Sequence, residues 1–142
     1  MTSARRLPLA LCLGGLAVIM TACGTATAGK DSGSDNQRIE AAAREFYDTL
    51  AKDGPSVAVA KACRPDRDEF DSLPADQKTA VDKGKFTIKI TTVTDIVVTG
   101  DRATAGLTGT LAVPGSDGKS TTAAQHFRKE DGVWKVCSAD GK

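Results

Sequence analysis

Between residues 35 and 52 the apolar positions Ile39, Ala42, Ala43, Phe46, Tyr47 and Leu50 recur at the three- and four-residue spacing of one helix face. Asp35 stands before that stripe as its N-cap, and Asp53-Gly54-Pro55 ends it. Pro55 suits the first position of a second helix, short and alanine-rich, over Ser56 to Cys63, which Pro65 terminates. Weaker helical pieces are expected over Asp66 to Phe70 and Pro74 to Lys83, after which Gly84 breaks the pattern. From Phe86 the period changes to two, the signature of half-buried strands.

Three turn signals divide this second half into four antiparallel strands and fix their register. Gly100-Asp101 serves as a two-residue hairpin loop, opposing Val98 to Ala103, Ile96 to Ala105, Ile90 to Leu111 and Ile88 to Val113. The longer loop Pro114 to Gly118 then sets Phe127 against Ala105 and Ala123 against Gly109. Asp131-Gly132, the strongest turn signal in the chain, sets Phe127 against Val136 and Lys129 against Trp134. One face thereby collects Phe86, Ile88, Ile90, Ile96, Val98, Leu107, Leu111, Phe127, Trp134 and Val136. The other shows Thr87, Lys89, Thr91, Asp95, Thr108, Thr110, Arg128 and Lys135.

A sheet apolar on one side needs helices to cover it, and the first half supplies them. The expected fold class is α+β, with N-terminal helices packed on one face of a curled four-stranded antiparallel meander. Gly106 and Gly109 are expected to let the second strand bend. One conflict remains in this scheme. The register sends Cys137 and His126 to the polar face, whereas Cys63 sits on a helix that covers the apolar one. Either a bulge near Ser138 or a helix end at the sheet's rim resolves it.

The opening residues carry a different message. A short basic start with Arg5 and Arg6 precedes an apolar run from Leu7 to Met20, too short for a relaxed membrane span of about 20 residues and matching a secretory signal. The run ends in Met20-Thr21-Ala22-Cys23, which resembles the bacterial lipobox. That resemblance implies that residues 1–22 are a lipoprotein signal peptide, that Cys23 is acylated with diacylglycerol, and that cleavage leaves it as the first residue. Two acyl chains give durable attachment to a bilayer, where one is marginal. Met20 departs from the leucine usual in that motif. After Cys23 come small, polar residues without periodicity, Gly24 to Ser34, so 23–34 reads as a flexible tether and 35–142 as a single domain. The expected location is the extracytoplasmic face of the cell membrane, held by the lipid anchor.

Loss of Arg5 and Arg6 with the signal turns the chain's formal charge of +1 into −1, so no basic excess recruits nucleic acid. Of the four cysteines, Cys12 leaves with the signal and Cys23 takes the lipid. Cys63 and Cys137 remain, and an even pair in an exported chain reads as a disulfide. A two-cysteine metal site is the alternative, but the chain has a single histidine, His126, to support it. No metal or cofactor is expected.

Helices followed by a curled meander ending in Phe127-Arg-Lys-Glu-Asp-Gly-Val-Trp-Lys-Val136 resemble the nuclear-transport-factor-2-like (cystatin-like) superfamily. More narrowly, the chain resembles small exported actinobacterial lipoproteins with that domain, over roughly Asn36 to Ser138. In such lipoproteins a cysteine in an early helix is joined to one after Trp-Lys-Val. The superfamily hosts isomerases, dehydratases, transport factors and domains of other roles, so fold alone transfers no activity. Its isomerases keep a carboxylate base beside a tyrosine or protonated acid inside the cone between helices and sheet. Here the inward strand positions offer Thr92, Thr94, Thr121 and Gln125, with Lys129 near the rim and no carboxylate; Asp48 or the Asp66 to Asp71 loop would have to supply a base.

Other candidate motifs dissolve on inspection. Gly115-Ser-Asp-Gly-Lys-Ser120 has two residues between its glycines, where a phosphate loop needs four and a following helix. Asp66-Arg-Asp-Glu-Phe-Asp71 lacks the glycine and distal glutamate of a calcium loop. Phe46, Tyr47, Phe86, Phe127 and Trp134 are core residues first and, in a curled sheet, candidates to line a pocket mouth. The expected function is a non-catalytic binding or interaction domain, its partner a small apolar ligand or another envelope protein. An isomerase- or dehydratase-like enzyme is the alternative.

Overall fold

A computed structural model describes residues 31–84, 87–112 and 117–142. Helix α1 (Asp31–Asp53) is followed by α2 (Pro55–Ala58), a 3-10 turn (Val59–Lys61), α3 (Arg64–Asp71) and α4 (Ala75–Lys83). Strands β1 (Thr87–Thr99), β2 (Arg102–Ala112), β3 (Lys119–Glu130) and β4 (Val133–Val136) form one antiparallel sheet in sequence order. A 3-10 turn, Ser138–Gly141, closes the chain. The architecture is α+β with a curled open sheet. No helix among the described residues is long and apolar enough to cross a membrane.

The helices keep the expected order but differ at their ends. α1 begins at Asp31, inside the stretch expected to be tether. Asp35 therefore lies within the helix and caps nothing; it is buried, with a different task described below. The second helix is a single turn of α-helix running into a 3-10 turn, not a continuous element to Cys63. Pro65 opens α3 instead of ending its predecessor, because a proline in a first turn removes an N–H that has no partner there anyway.

β1 is where the predicted register fails. Beside the Gly100-Asp101 turn Val98 does face Ala103, but farther on Ile90 faces Gly109 and Ile88 faces Leu111. Two irregularities, between Ile90 and Thr92 and between Thr94 and Val97, each insert one extra residue into β1. Asp95 takes a left-handed backbone (φ 52°) at the second. Each insertion reverses the inside–outside alternation. The inward set becomes Ile88, Ile90, Val93, Ile96 and Val98, and Thr92 and Thr94, expected to point inward, are exposed. The carbonyls of Ile90 and Thr91 at the first irregularity accept hydrogen bonds from the Arg44 guanidinium on α1, at 3.1 and 3.4 Å. Gly109 is required at this point: a Cβ there would lie 2.6 Å from the Lys89 carbonyl oxygen.

Between β2 and β3 the register is offset by two residues from expectation, so Phe127 faces Ala103 and Ala123 faces Leu107. An even offset keeps every side chain on its predicted face. The β3–β4 pairing is as expected, Phe127 with Val136 and Lys129 with Trp134.

α1 packs across the concave face. Ile39 and Ala43 meet Ala103, Ala105, Leu107, Phe127, Trp134 and Val136 in one core, with Phe46 and Tyr47 partly buried against it. Its N-terminal half is pinned by a charge. Trp134 Nε1 donates to Asp35 Oδ1 at 2.9 Å, and Lys129 Nζ reaches the same carboxylate at 3.2 Å while lying 5.4 Å over the indole ring. The indole hydrogen bond, helped by Lys129, holds the Asp35 carboxyl below its ordinary value.

The cysteine conflict is resolved at the sheet's rim. Ala62 forms a parallel bridge to Val136, and the Cys63 N–H donates to the Val136 carbonyl at 2.8 Å. Residues 62–63 thus cover the open edge of β4 just before α3 begins. From there Cys63 reaches Cys137, and the buried disulfide joins them.

The terminal turn is fixed over this bridge. Asp66 accepts hydrogen bonds from the backbone N–H groups of Ser138 and Ala139 at 2.6 and 2.8 Å, and Asp140 pairs with Arg128 and Arg102. The bond from Arg128 lowers the Asp140 carboxyl below its ordinary value. Gly141 rests against the His126 ring, so this histidine, expected as a plain surface residue, is half-covered.

Two stability tests follow from these ties. Asp35→Ala strands the buried Trp134 N–H and should destabilise the fold by about 1–3 kcal/mol, while Asp35→Asn, which keeps an acceptor, should cost less. Because Asp35 and Asp140 titrate below ordinary carboxylates, their contribution is fully present above the unfolded value of about 4 and is lost as pH falls through the folded values. Urea unfolding across acidic pH should therefore show a decline that is shallower in Asp35→Asn; an unaltered acid limb would remove Asp35 from this role. Opening the Cys63–Cys137 bridge, which spans 74 residues, should cost up to about 4 kcal/mol and lower the melting temperature. Calorimetry of Cys63→Ala/Cys137→Ala checks it, and an unchanged transition would show that the bridge contributes no stability.

Candidate functional site

Among the described residues, Tyr47 of α1 and residues of β1, β2 and β3 line a cavity of about 140 Å³ on the concave side. Ile88 and Ile90 of β1, Leu107 and Leu111 of β2, and Ala123 of β3 give it apolar walls. Leu111 remains 48% exposed, so the mouth is open to solvent. Thr110 and Thr121 stand among the lining residues as well.

One polar pair interrupts the apolar lining. The Tyr47 hydroxyl donates to Gln125 Oε1 at 2.6 Å, and Gln125 Nε2 donates to the His126 carbonyl oxygen at 3.1 Å. Tyr47 arrives from α1 because it follows Ile39 and Ala43 on the helix face turned to the sheet; Gln125 arrives from β3, two residues before the buried Phe127. Burial penalises the phenolate and raises the Tyr47 pKa above its ordinary value. The phenol is therefore neutral through the physiological range.

A second, larger hollow of about 390 Å³ lies on the helical side, lined by Phe46, Leu50, Pro55, Ala58, Phe70 and Leu73. Its charged groups are already engaged. Asp66 caps the terminal turn, and Lys142 pairs with Glu69 at 2.6 Å. Its charged lining is thus spent on the terminal turn and an ion pair, whereas the concave cavity carries an oriented polar pair, which makes the concave cavity the better-formed candidate.

The aromatic residues expected near a pocket divide accordingly. Tyr47 lines the concave cavity and Phe46 the helical hollow, with the two rings in edge-to-face contact. Phe127 and Trp134 are core residues that the concave cavity does not include. Phe86 and Cys23 lie outside the described residues. Ile88, Ile90, Leu107 and Leu111 were visible in the sequence as inward residues, but nothing in the pattern told lining from packing.

Cys63, Asp66 and Cys137 bring three potential metal donors within 4.8 Å of one another. The sulfurs are bonded to each other and the carboxylate holds two backbone N–H groups, so no donor is free for an ion. No known family's sequence profile matches the chain, and no curated protein aligns with it significantly.

Tyr47 is the single tyrosine, so an absorbance titration of the phenol reads it without overlap. Its midpoint should lie above the ordinary value of about 10. A midpoint at or below that value would mean that the hydroxyl is not desolvated.

Proposed function

We propose that this chain is a membrane-anchored extracytoplasmic lipoprotein whose domain binds a small, largely apolar molecule in the concave cavity. The carrying observation is the cavity itself: apolar walls from three strands, with one fixed hydroxyl–amide pair to orient a ligand. Its volume of about 140 Å³ is below the range of about 300–1,000 Å³ typical of drug-sized sites, so it suits a small molecule or one end of a longer chain. Met20-Thr21-Ala22-Cys23 supports the anchor, and the Cys63–Cys137 bridge supports an oxidising location. The order of helices on a curled meander supports kinship with the nuclear-transport-factor-2-like domains. For the enzymatic alternative, the described lining offers Tyr47 as a proton donor and no carboxylate to work with it, which favours binding over proton transfer.

Growth with a clickable palmitate analogue should label the unaltered chain, and Cys23→Ser should abolish the label; an equally labelled variant would place the acyl group elsewhere. Native mass spectrometry of the full chain released from its own membranes should then show a bound small molecule that Leu107→Trp, which fills the cavity, excludes. Retention of the same molecule by a folded Leu107→Trp variant would move the binding site away from the concave face.

A further inference from the structure

The hydrogen-bonding groups of the polar pair specify more than an apolar guest. Tyr47 spends its one O–H on Gln125 Oε1, and Gln125 spends one of its two N–H groups on the His126 carbonyl. Among the described residues these capacities remain: the second N–H of Gln125, a second lone pair on its Oε1 and the lone pairs of the Tyr47 oxygen. They belong to two side chains joined by the 2.6 Å bond from the Tyr47 hydroxyl to Gln125 Oε1, with Nε2 on the same amide, so one small ligand group can address both residues. We infer that the cavity recognises the hydroxyl end of an aliphatic alcohol, which accepts from Gln125 and donates to Tyr47. This rests on the reading of the concave cavity as a ligand site.

Competing head groups fit worse. A ketone or ester oxygen accepts from Gln125 but offers nothing to the Tyr47 oxygen. A carboxylate likewise only accepts, and it would enter a lining whose described residues carry no cation. An ammonium donates to Tyr47 but faces the remaining Gln125 N–H, and no anion among those residues offsets its desolvation. A plain hydrocarbon fills the walls yet leaves these capacities unmet. The space, equivalent to about five water molecules at the liquid volume of roughly 30 Å³ each, admits a short aliphatic segment behind the hydroxyl.

The test is an NMR titration of the full chain in nanodiscs of fixed lipid composition, with empty nanodiscs as the partition blank. Shifts of the Leu107 and Ala123 methyl groups report occupancy by hexanol, hexanoate, hexylamine or hexane. Hexanol should bind about tenfold more tightly than hexanoate or hexylamine. Gln125→Leu should weaken hexanol several-fold and leave hexane unchanged, the loss expected for one net hydrogen bond. Hexanoate or hexylamine binding as well as hexanol, or hexanol unaffected by Gln125→Leu, would overturn the inference while leaving the apolar site standing. Failure of both hexane and hexanol to move those methyl groups would sink the cavity as a site altogether. Should Gln125→Leu not fold, the ranking of the four probes on the unaltered chain still decides.

Discussion

A single helix has to cover the concave face of a sheet whose first three strands each run for 11 to 13 residues. At about 3.3 Å per residue those strands reach roughly 36–43 Å, while β4, where the helix is pinned, is only four residues long. α1 crosses the sheet diagonally and is tied at three points: Asp35 to Trp134 beside β4, Arg44 to the carbonyls of β1, and Tyr47 to Gln125 of β3. Each tie uses a polar side chain to fix the register of an otherwise greasy contact. Among the described residues, α1 contributes only Tyr47 to the cavity lining, and the other walls are strand residues.

This layout separates stability from the candidate site. The buried carboxylate, the disulfide and the terminal turn all gather around β4 and the ends of β2 and β3 nearest it. Asp66 and Asp140 extend that cluster by holding Ser138–Gly141 against α3 and the convex face. The open walls formed by Ile88, Leu111 and Ala123 belong to the opposite end of the hairpins. A cavity that costs packing is tolerable because the other end of the domain is strongly tied.

Much of this fold was legible in periodicity and turns. Gly100-Asp101 and Asp131-Gly132 located two hairpins, and the Phe127–Val136 and Lys129–Trp134 pairs followed from counting. What escaped was the pair of extra residues in β1, because Thr91 to Val97 reads as plain alternation until a left-handed Asp95 interrupts it. The spacing of Ile88, Ile90, Val93, Ile96 and Val98 carried the information as two three-residue steps. Asp35 was mistaken for a cap since helix start signals do not reveal that an indole lies 99 residues away. The cavity was legible only as an inward set of side chains, because which of them α1 packs against is a tertiary property.

Tyr47 connects the cavity's shape to its selectivity. The same desolvation that raises the pKa of the phenol acts on any ionised group a ligand brings to that place. A carboxylate or ammonium entering would surrender its hydration and gain, from the described lining, only dipoles. A neutral oxygen surrenders far less and meets a donor and an acceptor already held in position by the Tyr47–Gln125 bond. If the cavity is a ligand site as proposed, a preference for uncharged molecules follows from burial itself, and the hydroxyl–amide pair refines it by direction of hydrogen bonding.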